Sequence, residues 1–496
     1  MRRSLIQDLV SQTSYSDKDK SRSRIWSPIR LTECIENVTQ PYYAPCQAEV
    51  VNQRFGGERV LYAEELIYPD FAIREPIYPK GDSGTSTRRR WKEIMSREGR
   101  GLARGVDGVD WWQYNGERGQ NFLLANVSYQ GPSFDSWSSE ACMGNEAAIG
   151  YLKSHHDEQA FGPISEGGDP NILDLALLAN SPDSWSFQHF LDRGTHEIAQ
   201  GLPLALASRR SFEKWVDGAN PTEPRLVIGK GANKEVNDLR RMMLGDKLDQ
   251  ATVHGDSNLR ARWLVDPCRT PLIHPWLSLK ALERIQVPTS KARPMSERKV
   301  VIYAGRGDGS ATNGGRNVVN EEELVSAMEG LLERRGQGEK LVKFTKNMFA
   351  NLTETMDYFA SNVRAIVGPH GGALMNSRWV PPGSLLVEMM PTSFTSIAIY
   401  EEASVLGLHY ASIIVEPTGK NDLTIDPNDV VGILEDHLGR QGEEPPVKHN
   451  YMWRSKELDV QGVDLQSWKE SQAEGAIRGM RRVVKREGGG LSRGER

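Results

Sequence analysis

Apolar and polar positions alternate most regularly in the second half of the chain. Short apolar runs are separated there by longer segments whose apolar positions recur every three or four residues. Such runs predict buried parallel strands, and the longer segments predict amphipathic helices between them. The predicted strands include KVVIYAGR, LVKF, RAIV and SLLVEM, and the predicted helices include NEEELVSAMEGLLERR, NLTETMDYFASN and DPNDVVGILEDHL.

The first half is less regular but also predicts a mixed α/β domain. Strand patterns occur in RVLYAEELIYPDF, VDWWQY, NFLLANVSY, NILDLALLAN and RLVIG. Ser136 to Gly150 is a helix candidate. The basic, glycine-punctuated stretch Thr85 to Gly105 is interpreted as a solvated charge run, and the alternative is a loop over an acidic or phosphorylated acceptor. The predicted organisation is a disordered segment at 1–30, an N-terminal α/β lobe at 31–287, a linker at 288–294, a C-terminal α/β lobe at 295–470 and a disordered basic tail at 471–496.

The stretch from Val363 to Pro391 is the most informative part of the chain. It predicts a strand, a glycine loop (Gly368–Gly372), a helix from Ala373 to Trp379 and a second strand that ends at Glu388. In open α/β sheets, ligands bind at the carboxyl ends of strands, and glycines let the backbone approach them. By spacing alone, a ligand-binding loop and an ordinary crossover with packing glycines are equally supported.

Three motifs favour the ligand-binding interpretation. The first is HGGALMN followed by VPPGSLLVEM, the second is KVVIYAGR with GGRNVVNEEEL, and the third is SFQHFLD. Together they resemble the signatures of glycosyltransferase family 61. The family more often has Ala-Gly where this chain has Gly372-Ala373. The resemblance extends from Ser186 to about Trp468.

The resemblance implies an inverting glycosyltransferase of the GT-B type, with two facing Rossmann-like lobes and a nucleotide-sugar cleft between them. The donor would be a UDP-sugar of the xylose, N-acetylglucosamine or arabinose class, and the acceptor a hydroxyl of a glycan or glycoprotein. The alternative is a non-catalytic member of the same fold that binds glycans or nucleotides. An NAD-dependent oxidoreductase is less well supported, because neither glycine loop has the G-x-G-x-x-G spacing.

The resemblance also implies roles for individual residues. The substrate-binding candidates are Arg306 and Arg316 for the diphosphate, Glu388 for ribose or sugar hydroxyls, and Gly371, Gly372 and Asn376 in the loop. The catalytic candidates are His370, which would donate to the leaving group from an open cleft, and His189 or Asp192 as the base. If the segment is helical, His189 and Asp192 share one face, because they are three positions apart.

Composition limits the remaining possibilities. A net charge of −5 and a pI near 6.1 do not indicate a nucleic-acid-binding protein. No apolar run is long enough to span a membrane, and Asp8 interrupts the only candidate signal peptide. Family resemblance nevertheless implies the lumen of the Golgi or endoplasmic reticulum. No Asp-x-Asp triplet suits a divalent ion, so we expect no metal and no cofactor apart from the donor sugar nucleotide.

The cysteines and sequons leave the compartment open. Cys34 and Cys46 could close a short loop in an oxidising compartment, and free buried thiols are equally consistent with the spacing. Asn-x-Ser/Thr tripeptides begin at Asn37, Asn126 and Asn351, and they favour a lumenal site only slightly.

Overall fold

The computed structural model describes residues 26–32, 34, 44–55, 60–105, 108–114, 118–130, 172–179, 186–215, 224–229, 234–244, 250–253, 258–285, 293–306, 315–345, 347–440 and 447–450. The strands in these ranges are β1 (Ile29–Leu31), β2 (Val60–Ile67), β3 (Asp70–Arg74), β4 (Gly101–Arg104), β5 (Asp110–Tyr114), β6 (Arg118–Gln130), β7 (Ile172–Leu178), β8 (Arg225–Gly229), β9 (Gln250–Val253), β10 (Asn258–Arg269), β11 (Val300–Tyr303), β12 (Lys340–Lys343), β13 (Val363–Pro369), β14 (Leu385–Pro391), β15 (His409–Val415) and β16 (Lys448–Asn450).

The α-helices in the same ranges are α1 (Ala44–Phe55), α2 (Gly81–Arg97), α3 (Thr195–Trp215), α4 (Lys234–Leu244), α5 (Pro275–Ile285), α6 (Glu321–Arg335), α7 (Leu352–Asn362), α8 (Ala398–Val405) and α9 (Pro427–Leu438). Shorter helical segments are the turn Phe187–His189, the π-helical Phe190–Gly194, and the 3₁₀ segments Met295–Glu297 and Gly372–Trp379.

The chain folds into two compact units. The first comprises 1–70, 115–285 and 449–496, and the second comprises 71–114 and 286–448. The first unit contains a seven-stranded sheet of order β1-β2-β6-β10-β7-β8-β9. The pairs β1–β2, β2–β6 and β6–β10 are antiparallel. The pairs β10–β7, β7–β8 and β8–β9 are parallel. The sheet is therefore mixed rather than a purely parallel Rossmann sheet.

The second unit contains a five-stranded, fully parallel sheet of order β12-β11-β13-β14-β15. Numbered along the chain, this order is 2-1-3-4-5, a doubly wound arrangement in which the strand order reverses between β11 and β13. Alternate residues of the central strands pack with the apolar faces of α6 and α9 in one buried cluster. α7, α8 and the 3₁₀ segment Gly372–Trp379 contact the same sheet outside that cluster.

Residues 71–114 belong to the second unit, although the predicted lobes treated 31–287 as one continuous stretch. Ile77 pairs in parallel with Ala411 and exchanges backbone hydrogen bonds of 2.8 and 2.9 Å with the edge strand β15. Helix α2 then places the fully buried Trp91 with its ring centroid 5.0 Å from that of Tyr400. The basic stretch is therefore largely a helix that packs on β15, and Arg88, Arg89 and Arg97 lie on its exposed face.

The Val363–Pro391 stretch has the predicted order of elements. β13 and β14 are buried along their whole length, as their continuous apolar runs predict. The intervening Gly372–Trp379 forms a 3₁₀ helix instead of the predicted α-helix. Asn376 explains part of this local fold, because its amide donates to the Ala373 carbonyl at 3.0 Å and accepts from the Trp379 indole at 3.0 Å.

The α/β class is confirmed by this architecture. The GT-B arrangement and the predicted domain boundaries stay predictions. The helix predicted at Ser136–Gly150 and the tail at 471–496 lie outside the described residues. Of the first segment (1–30) only 26–30 are described, and of the linker (288–294) only 293–294. In the part of the chain that the structure describes, no helix is both long and apolar enough to cross a membrane.

Candidate functional site

Four of the residues named from the sequence in the second unit lie close together near the carboxyl ends of β11, β13 and β14, namely Arg306, Arg316, His370 and Glu388. Arg306 lies three residues beyond β11, and His370 directly follows β13. β11 and β13 are neighbours at the point where the strand order reverses. Ligands of doubly wound sheets bind at this reversal, outside the carboxyl ends of the strands. The topology therefore selects the same loops as the motifs.

Arg306 joins two loops of this edge. Its Nε donates to the Gly315 carbonyl at 3.2 Å, and its Nη1 donates to the His370 carbonyl at 3.4 Å. A Cβ atom at Gly371 would collide with Nη1 of Arg306, so the guanidinium can reach this position only because residue 371 is glycine. Burial lowers the pKa of Arg306.

Arg316 has a strained backbone next to Arg306. Its φ of 65° lies in the left-handed region, which a non-glycine residue adopts at an energetic cost. The conformation is held by the backbone hydrogen bond from Arg316 to the Asn421 carbonyl, at 3.1 Å. Burial and the neighbouring Arg306 lower the pKa of Arg316, and Glu388 partly offsets this effect. An anion bound next to the two guanidinium groups would reduce the cost of placing them together.

His370 forms a buried chain with Glu388 and Tyr410. Its Nδ1 is bonded to one carboxylate oxygen of Glu388, and the Tyr410 hydroxyl donates to the other. Burial and the Glu388 carboxylate raise the pKa of Tyr410, so the phenol remains a hydrogen-bond donor. Nδ1 of His370 is therefore engaged by the Glu388 carboxylate, and Nε2 is the ring nitrogen left for another partner.

Two expectations about this chain need correction. Glu388 has 0% exposure and both of its oxygens are occupied, so it does not present an oxygen to ribose or sugar hydroxyls. His370 is 4% exposed, whereas we expected a ring in an open cleft with little to pack against. Its ring instead lies between the Glu388 carboxylate and the Phe394 ring, whose centroid is 5.3 Å away.

Phe394 is a site residue that the sequence analysis missed. It follows β14 and is 42% exposed, which is unusual for a large apolar side chain. The Arg316 guanidinium carbon lies 4.5 Å from its ring centroid, within cation–π range. Its position in PTSF, just past the carboxyl end of a predicted strand, was the available signal. An exposed aromatic ring beside an arginine and an imidazole offers a stacking surface for a planar ligand group.

The other two loop candidates have local roles. Gly372 begins the 3₁₀ segment. Asn376 is 5% exposed, and both ends of its amide are used inside that segment. Neither places a side-chain polar group beside Arg306, so the structure gives them a part in shaping the loop.

In the first unit, His189 and Asp192 meet as their spacing predicts. Nδ1 of His189 lies 3.3 Å from Oδ2 of Asp192, and the two side chains are 32% and 17% exposed. Ser186 caps the turn by accepting from the His189 backbone amide at 3.3 Å. A carboxylate on Nδ1 orients an imidazole so that Nε2 can exchange a proton, which is a general-base arrangement.

Within the described ranges, no three His, Cys, Asp or Glu side chains converge as metal ligands. Metal independence itself stays a prediction. Cys34 and Cys46 form a disulfide, which decides between the two possibilities left open by their spacing.

Comparisons with known proteins agree with the motifs. Residues 187–387 match the family model described as Glycosyltransferase 61, which confirms the family prediction. No curated protein sequence matches the chain. Among solved structures, a mutant of a flavo di-iron protein from Thermotoga maritima is 10% identical, covers 83% of this chain and 99% of its own, and has a TM-score of 0.21. A second mutant of that protein has the same identity and coverage and a TM-score of 0.20. Scores this low carry no argument about fold or function.

Proposed function

Because residues 187–387 belong to glycosyltransferase family 61, we propose that this protein is an inverting glycosyltransferase that uses a UDP-sugar donor. The acceptor is a hydroxyl of a glycan or glycoprotein. The GT-B fold implied by the family is part of this proposal. Xylose, N-acetylglucosamine and arabinose are the donor sugars to test first.

The single observation that supports this proposal best is the arginine pair at the strand reversal. Arg306 and Arg316 place two guanidinium groups, whose pKa values are lowered chiefly by burial, at the edge where doubly wound sheets bind ligands. Guanidinium groups match diphosphate oxygens through charge-assisted hydrogen bonds. The exposed Phe394 ring beside Arg316 is suited to stacking on the uracil base.

The proposed reaction is a single displacement. The acceptor hydroxyl oxygen forms a bond to the anomeric carbon while the bond from that carbon to the diphosphate oxygen breaks. The hydroxyl proton passes to a general base, and the candidates are His189 and Asp192, whose Nδ1 and Oδ2 atoms are 3.3 Å apart. The negative charge that develops on the leaving diphosphate is stabilised by Arg306, Arg316 and His370.

Glu388 has a positioning role in this proposal. With Nδ1 of His370 bonded to the Glu388 carboxylate, only Nε2 can contact the diphosphate. A proton on Nε2 would let the ring donate to a phosphate oxygen. Glu388 therefore acts through His370 and not on the sugar.

We propose that the enzyme works in the Golgi or endoplasmic reticulum lumen. The Cys34–Cys46 disulfide supports an oxidising compartment, since such bonds are rare in the cytosol. The exposed Asn351 begins a glycosylation sequon at the start of α7, which is consistent with the same location.

Release of UDP from a panel of UDP-sugars tests the proposal, with glycan and glycoprotein acceptors included. We expect acceptor-dependent release with one donor, and loss of that release in His370→Ala. If UDP binds but no donor is turned over with any acceptor, the protein is the non-catalytic binding member of the family. If neither UDP nor a UDP-sugar binds, the donor assignment is wrong.

A further inference from the structure

A basic cavity lies at the edge of the parallel sheet opposite to Arg306 and His370, in the second unit. It has a volume of about 610 Å³ and is lined by Lys299, Arg335, Glu339, Arg364 and Arg440, among others. Lys299 and Glu339 directly precede β11 and β12, and Arg364 is the second residue of β13. The cavity therefore lies at the amino ends of these strands, whereas Arg306 and His370 lie beyond the carboxyl ends of β11 and β13.

The charges that line this cavity are unbalanced. Four cationic side chains surround one carboxylate, Glu339, which accepts from Arg335 at 2.7 and 3.2 Å. Arg364 is only loosely paired with the same carboxylate, with an N–O distance of 3.9 Å. Lys299 and Arg440 have no carboxylate within 4 Å among the residues that the structure describes. The lining groups thus carry a net charge of +3.

Arg364 provides a second, independent observation. It is 7% exposed, and its Nη2 donates to the carbonyls of Leu438 and Arg440 at 2.7 and 2.8 Å. Its Nε atom is buried and has no hydrogen-bond partner among the described residues. A buried guanidinium N–H without an acceptor is costly, and an oxyanion in the cavity would supply that acceptor.

Stabilisation of helix dipoles does not explain every basic residue of the lining. Basic groups near the ends of α6 and α9 stabilise the negative ends of helix dipoles, which explains Arg335 and the cap made by Arg364. It does not explain Lys299, which is not on a helix and whose side chain forms no hydrogen bond or ion pair with the described residues. Nor does it explain a concave space large enough for a small ligand.

We propose that this cavity binds a small polyanion through its phosphate or sulfate groups, separately from the UDP-sugar. A phosphorylated metabolite and a sulfated saccharide share this chemistry. Lys299 and Arg440 contact the anion with their charged ends, and Arg364 supplies the buried donor.

Isothermal titration of the full chain tests this site with two probes, inorganic pyrophosphate and a sulfated disaccharide. The informative variant is Lys299→Glu combined with Arg440→Glu. Lys340→Glu is the matched control, because Lys340 is exposed at the same edge of the sheet but does not line the cavity. The wild type and the control are expected to bind at least one probe at this site.

The double variant should bind that probe at least about tenfold more weakly, because two charge-assisted contacts are reversed. UDP affinity should be equal in all three proteins, which separates this site from the donor site. Stronger binding of pyrophosphate identifies a phosphorylated ligand, and stronger binding of the disaccharide identifies a sulfated one. Thermal melting shows whether each variant is folded. If the double glutamate variant does not fold, the combined Lys299→Ala and Arg440→Ala variant is used in its place.

Two results would overturn the proposal. One is an isotherm of the folded double variant, or of the alanine pair, that equals that of the wild type for both probes. The other is that neither probe binds to the wild type or to Lys340→Glu. Both results would leave the UDP-sugar assignment intact, because that assignment depends on the carboxyl edge of the sheet.

Discussion

Replacing Glu388 with glutamine tests how the buried chain acts in catalysis. Glu388 accepts from both Nδ1 of His370 and the Tyr410 hydroxyl. A glutamine side chain has the same shape but only one acceptor oxygen, and its amide nitrogen must donate. The substitution also replaces the carboxylate that faces Nδ1 of His370 with a neutral amide, so the charge-assisted hydrogen bond at Nδ1 is lost. Nε2 can still contact the diphosphate, but the ring is no longer held against a carboxylate.

The expected loss follows from that change. A hydrogen bond to a charged group contributes about 1.5–3 kcal/mol and a neutral one about 0.5–1.5 kcal/mol. The difference of about 1–1.5 kcal/mol corresponds to roughly a tenfold fall in kcat. The KM for the donor should change little, because the charge develops on the leaving group only during the reaction. His370→Ala removes the donor altogether and should lower kcat by about a hundredfold.

Tyr410→Phe is the matched control. It removes the other hydrogen bond to the same carboxylate but leaves the His370 bond in place. Steady-state UDP release and thermal melting are measured on the same preparations. We expect Tyr410→Phe to lose stability and to keep its turnover within about twofold. If Glu388→Gln turns over at the wild-type rate, or if Tyr410→Phe slows equally, Glu388 does not act through His370.

Three further predictions concern the uracil base of the donor, metal ions and pH. Phe394→Ala should raise the donor KM about tenfold, since stacking on an aromatic ring contributes about 1–3 kcal/mol; an unchanged KM measured by UDP release would remove Phe394 from the site. Transfer should persist in excess chelator, and strict dependence on Mn²⁺ or Mg²⁺ would contradict the charge stabilisation by arginines. Burial and the nearby Glu197 raise the pKa of Asp266 to about 7. Between pH ~4 and ~7 the folded state therefore binds more protons than the unfolded state, and the free energy of unfolding falls as the pH rises through that window. Asp266→Asn should therefore be more stable than the wild type at pH 8, by up to about 4 kcal/mol, and show little difference near pH ~4 in denaturant unfolding; a difference independent of pH would contradict this.

Local patterns predicted the elements that depend on local sequence. β13, β14 and α6 follow from apolar runs and helical periodicity, and SFQHFLD placed His189 beside Asp192. The motifs also brought Arg306, Arg316 and His370 to one edge of a sheet.

Features that depend on distant parts of the chain were not predictable in the same way. The membership of 71–114 in the second unit rests on Ile77 pairing with Ala411 and on Trp91 packing beside Tyr400, and both partners are far away along the chain. The role of Glu388 was misassigned because its partner Tyr410 lies on the next strand of the sheet. A glutamate at a strand end has the same sequence pattern whether it faces a ligand or a buried imidazole.

Calorimetric titration of UDP into the wild type and Arg306→Ala tests the central claim most directly. Arg334→Ala is a suitable control, because Arg334 is exposed in the last turn of α6 and belongs to the same unit. The account predicts that the wild type and Arg334→Ala bind UDP equally, and that folded Arg306→Ala binds it about ten- to a hundredfold more weakly, a loss of ~1.5–3 kcal/mol. Equal UDP affinity in all three proteins would contradict the assignment of the diphosphate to this edge of the sheet.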